Sequence, residues 1–83
     1  MKQSVSSLAT LRPGQTAVIT GIRKFDANVL RLMTLGLVEG AVVEMAGKAI
    51  GGDPLEFRLF GYGISLRREQ ADAFLVAPAG AGG

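Results

Sequence analysis

Residues 30 to 40 run Leu-Arg-Leu-Met-Thr-Leu-Gly-Leu-Val-Glu-Gly, and they constrain the fold more than any other stretch of the chain. A helical apolar stripe runs up to a glycine, and from Ala41 onward the apolar residues recur at every second position instead. A helix this short is unstable alone and forms only against a partner surface. The change of period therefore describes a short helix packed directly onto a β-sheet. Gly36 fits the left-handed position just past such a helix, with Leu37 folding back onto Leu32.

Asp26 is placed to cap this helix, which runs over about residues 27–35, with Val29, Leu32 and Met33 on one face and Arg31 and Thr34 turned outward. Five short strands surround it. Thr16 to Arg23 is β-branched and forms the first, after a turn at Arg12-Pro13-Gly14-Gln15. Ile19 and Ile22 share a face only if the strand bulges at Gly21. Leu8 and Leu11 form an apolar pair that lids one end.

In the second strand Val43 and Met45 alternate with Val42 and Glu44. A turn at Gly51-Gly52-Asp53-Pro54 leads into the third, where Leu55, Phe57 and Leu59 alternate with Glu56, Arg58 and Phe60. Gly61 and Gly63 flank a hairpin into Ile64 to Arg67, Arg68 to Ala71 makes one helical turn, and Phe74 to Ala77 is the fifth strand. The folding unit is 7–78, with 1–6 and 79–83 as flexible termini that have little to bury. The result is a mainly β, small SH3-like five-stranded barrel with a short α-helix inserted after strand one. An OB-fold is the nearest rival, but it sets its helix between strands three and four. Closure suits so small a core because it removes exposed strand edges.

The chain has no cysteine and no histidine. Disulfides, thiolate and imidazole metal sites and histidine acid–base catalysis are excluded together. Gly47-Lys48-Ala49 fails as a phosphate loop, with Val42 at the first glycine position and Ala49 where a metal-binding hydroxyl belongs. Gly61-Tyr62-Gly63 lacks the third glycine of a dinucleotide fingerprint. Gly36 and Gly40 have GxxxG spacing without an apolar span around them, and are a cap and a turn glycine. There is no signal-peptide pattern and no apolar run of membrane-spanning length, so a soluble cytoplasmic protein is expected, with no direct membrane insertion.

Net charge is only +2, so the pI near 9.5 does not describe a densely basic surface. The four Phe and one Tyr fall mostly at alternating core positions, which leaves no stacking platform for nucleic acid. Glu39, Glu44, Asp53 and Glu56 are hard oxygen donors, but carboxylates alone make a weak transition-metal site. No catalytic, cofactor-binding or metal residue is assigned. Arg31, Arg67 and Arg68, with Leu35 and Leu37 as apolar neighbours, form a candidate docking patch for a protein partner. The plainer reading is a solvated surface in which the arginines pair with Glu69 and Asp72. Gly14, Asp26, Gly36, Gly40 and Pro54 are structural turn or cap residues.

Three pieces, in order, resemble the FeoA family of bacterial ferrous iron transport proteins. They are Leu11-Arg12-Pro13-Gly14-Gln15, then Arg31 to Gly40 with its Arg-Leu-x-x-Leu-Gly-Leu-x-x-Gly run, then Gly52-Asp53-Pro54 followed by Ile64 to Ala71. The resemblance implies an SH3-like fold and a small non-enzymatic cytoplasmic partner of FeoB, the membrane ferrous iron transporter. It also implies kinship with the C-terminal domain of diphtheria-toxin-repressor-type regulators, and with it a transition-metal-binding alternative. A small nucleic-acid-binding barrel is the remaining alternative.

Overall fold

Strand β1, Thr16–Ile22, carries the expected bulge. Its pairing with β5, Phe74–Pro78, slips between Ile19 and Gly21, so Ile19 is buried while Ile22 still packs on the core. With β2 (Val42–Lys48), β3 (Leu55–Leu59) and β4 (Tyr62–Leu66) these strands make one antiparallel sheet in the order β4-β3-β2-β1-β5. The computed structural model describes residues 6–79. Of the predicted flexible ends, 1–6 and 79–83, residues 1–5 and 80–83 lie outside the described residues. Ser6 and Ala79, at the margins, both take backbone hydrogen bonds: Val76 N–H donates to Ser6, and Ala79 N–H to Thr16.

The alternation predicted for β2 and β3 holds. Val43, Met45, Leu55, Phe57 and Leu59 are all buried, with Val42 and Arg58 exposed on the other face. Between β1 and β2 lies helix α1, Ala27–Thr34, one residue shorter than expected. The Asp26 carboxylate accepts from Val29 N–H at 2.8 Å and caps it. At its end Gly36 N–H donates to Met33 and Leu37 N–H to Leu32, the paired bonds of a Schellman ending, with Gly36 at φ 116°. Gly14 and Gly40 also have positive φ, and the Asp53–Pro54 peptide is cis.

Two expectations need correction. The sheet does not close: β4 and β5 are its two edges, and no ladder joins them. The edge of β5 is taken instead by the N-terminal segment, through the Val76–Ser6 bond and a bridge between Ser7 and Leu75. A 3-10 turn at Leu8–Thr10 and helix α2, Arg68–Ala71, fill the gap, with Leu8 and Ala71 fully buried. Leu8 thus acts as the predicted lid, and Leu11 packs beside it half-buried. The second correction concerns the β3–β4 hairpin. Its turn is Phe60–Gly61, both at positive φ (52° and 87°), so Tyr62 and Gly63 already belong to β4.

Candidate functional site

The Schellman ending of α1 turns Leu37 inward and leaves Leu35 outside. Leu37 is fully buried and Leu35 is 46% exposed. Leu37 is therefore a core residue and not part of a docking patch. The bond that ends the helix also folds Leu37 under it, so Leu37 cannot both pack on Leu32 and face a partner. Arg31, one helical turn before Leu35, is exposed on the same side.

The β3–β4 hairpin reaches this helix end. The Tyr62 hydroxyl donates to the Leu35 carbonyl, one of the acceptors a helix terminus leaves without an internal partner. The Phe60 ring lies over Gly36, yet Phe60 stays 71% exposed and Tyr62 44%. Beyond them Val38, Glu39, Val42 and Phe60 line a shallow apolar groove. Leu35, Val38, Val42, Phe60 and Tyr62 thus surround the helix end as exposed apolar surface, with Arg31 beside it. Surface of this kind marks contact sites more often than chance.

From sequence, Phe60 and Tyr62 are not included in the patch: Phe60 is set on the outer face of the third strand with Glu56 and Arg58, and most of the aromatics are taken for core. Only Phe57 and Phe74 are buried, whereas Phe25 is exposed as well. The available signal was Phe60-Gly61 between the apolar Leu59 and Tyr62. A two-residue turn there needs positive φ at both central positions, and a residue at a hairpin tip has no core to enter.

The remaining basic residues serve other places. Arg67 lines a cavity of about 180 Å³ with Lys24, Asp26, Asn28 and Glu69, beside the start of α1. The Arg68 guanidinium donates to the carbonyls of Ala9 (3.2 Å) and Gly52 (3.0 Å), and its backbone N–H donates to Asp53. Arg68 thereby clasps α2 to the 3-10 turn and to the β2–β3 loop. Asp72 does not pair with Arg67 or Arg68. It meets Arg23 at 2.8 Å and also accepts from the Ser7 hydroxyl.

The carboxylates are dispersed. Asp53 receives the Arg68 N–H, Glu56 receives the Ser65 hydroxyl, Glu44 stands opposite Arg58, and Glu39 borders the groove. Among the described residues no three acidic side chains converge on a point where a metal ion would sit.

The model of the FeoA domain matches residues 6–78. The chain belongs to the FeoA family. The FeoA protein from Chlorobium tepidum superposes with a TM-score of 0.82 at 34% identity, over 89% of this chain and 70% of that one. The Stenotrophomonas maltophilia FeoA, solved with zinc, gives 0.76 at 30% identity over 87% of this chain and 89% of that one. That protein is described as a procaryotic SH3 domain protein and a candidate ferrous iron transport activating factor. The T. acidophilum IdeR matches with a TM-score of 0.78 at 22% identity, over 94% of this chain but only 36% of its own, a likeness of fold. A search of curated proteins finds no match. The SH3-like fold is thereby established, as an open five-stranded sheet. The zinc of the Stenotrophomonas protein does not fit this FeoA chain, which has no histidine or cysteine and whose described carboxylates stand apart. No described helix is long and apolar enough to cross a membrane.

Proposed function

We propose that this FeoA-family protein is a non-enzymatic cytoplasmic accessory subunit of ferrous iron uptake that docks on a FeoB-type membrane transporter. Iron is the transporter's cargo and not a ligand of this chain. The observation that carries the reading is the exposed apolar cluster of Leu35, Phe60 and Tyr62 built around the end of α1. Its members are held by the Tyr62–Leu35 hydrogen bond and by the packing of Phe60 on Gly36. A rigid apolar patch loses little conformational freedom on binding, and aromatic anchors contribute disproportionately to interface energy. Arg31 at its border supplies a charge that tunes association rate more than residence time. Docking alters the transporter only if the subunit binds one of its conformational or nucleotide states more tightly than another.

The test is a pull-down of transporter-containing membranes with the purified protein. Leu35→Glu should abolish capture, and Arg31→Glu should weaken it most at low ionic strength. Arg67→Glu, on the cavity at the other end of α1, should have a smaller effect. Circular dichroism controls for folding. Undiminished capture by folded Leu35→Glu would overturn the proposal.

A further inference from the structure

The two edges of the sheet differ. β5 is covered by the N-terminal segment and ends at Pro78. No described segment covers β4. The hairpin determines which of its groups are free. Leu59 and Tyr62 flank a two-residue turn and pair with each other, so Tyr62, Ile64 and Leu66 direct their N–H and C=O toward β3. Those of Gly63 and Ser65 point out of the sheet. Both residues are exposed, and no described residue bonds to their backbone outside the sheet.

Little obstructs approach to this edge. Gly63 has no side chain, and the Ser65 hydroxyl is held on the Glu56 carboxylate at 2.8 Å. β4 contains no proline and no charged residue, and its register with β3 is unbroken. Those are the devices by which exposed edges ordinarily resist pairing.

We propose that β4 pairs antiparallel with β4 of a second copy of this chain, about a two-fold axis at Ile64. Gly63 then lies opposite Ser65 of the second copy, and each such pair exchanges both of its N–H···O=C bonds. Charge selects this occupant. On the outer face Arg58 neighbours Gly63, and Glu56 neighbours Ser65. Across the two-fold, one row reads Arg58, Gly63, then Ser65 and Glu56 of the second copy, and its symmetric row reads the reverse. Each row therefore joins a cation to an anion with only glycine and serine between them. A parallel pairing would put like charges in each row. Glu44 stands opposite Arg58 on β2 and begins each row, but neither Arg58 nor Glu56 forms an ion pair among the described residues. On the inner face Ile64, half-buried in one copy, meets its own symmetry mate. This inference is independent of transporter docking.

Sedimentation of the full chain from micromolar to millimolar concentration tests it, with hydrogen exchange at Gly63 and Ser65. A monomer–dimer equilibrium is expected, with both amides protected only in the dimer. Ser65→Pro deletes an outward N–H without removing a bond to β3 and should be monomeric throughout. Should that variant fold poorly, charge reversal gives a second measurement. Glu56→Arg should raise the dimer Kd by about threefold at low salt, with the difference shrinking as salt is added, because the charges of each row act across two intervening strands. Glu56→Arg combined with Arg58→Glu should return it to the wild-type value, since each row across the two-fold again joins opposite signs. A chain that is monomeric at millimolar concentration overturns the proposal and leaves the edge to a strand of another protein. Folded Ser65→Pro that dimerises as tightly as wild type, or a double variant that does not recover, overturns it equally.

Discussion

The ring of Phe60 lies so close to Gly36 that a Cβ at residue 36 would stand 2.7 Å from the Phe60 Cε2. The end of α1 and the tip of the β3–β4 hairpin are thus built as one unit. Each contributes a residue at positive φ, Gly36 at 116° and Phe60 at 52°. The exposed apolar surface at the helix end exists because these two turns meet. Either turn alone would leave its side chains scattered.

Gly36→Val should therefore cost well over ~1 kcal/mol, since a β-branched residue is strained at that φ and also strikes the Phe60 ring. For a domain of this size the melting temperature should fall by more than about 4 °C. Introducing Phe60→Ala as well should recover the steric part of the loss but not the backbone part. An unchanged melting temperature for Gly36→Val would contradict the cap.

Adjacent residues of β3 should behave oppositely. Phe57 is 1% exposed, and Phe57→Ala should lose about 3–5 kcal/mol, enough to unfold most of the population of so small a domain. Arg58 is exposed, and Arg58→Ala should stay within roughly 0.5 kcal/mol in dilute solution. Denaturant titration distinguishes them. The reverse order would mean that the strand register is shifted by one residue.

Arg67 and Arg68 should also separate. Arg68→Ala removes the hydrogen bonds to Ala9 and Gly52 and should cost about 1 kcal/mol, a modest value because the group is solvent-exposed. Arg67→Ala should be near neutral in stability. Thermal melts of both variants, compared in high salt, check the difference; the Arg68 loss should persist there, since its acceptors are neutral carbonyls.

Asp26→Ala should destabilise the protein by about 1 kcal/mol, because the Val29 N–H loses its acceptor. Asp26→Asn, which keeps a capping oxygen, should recover most of it. Equal loss in both variants would assign the effect to the neighbouring Lys24–Asp26 ion pair, at 3.7 Å, rather than to the cap.

The features legible in the sequence were those decided by near neighbours along the chain. The Asp26 cap, the Gly36 stop and the bulge in β1 each follow from a few adjacent residues, because capping bonds and strand alternation act within one turn or one pleat. The FeoA resemblance rested on the same local runs. Tertiary structure decided what depended on distant partners. Asp72 pairs with Arg23, 49 residues away, rather than with the adjacent α2 arginines, because the return of β5 beside β1 brings it there. Tyr62 shares a face of β4 with the buried Leu66 yet stays 44% exposed, since a side chain's burial is set by which elements cover it and not by its polarity. The sheet stayed open for the same reason: the N-terminal segment claimed the backbone groups of β5 that closure onto β4 would have needed.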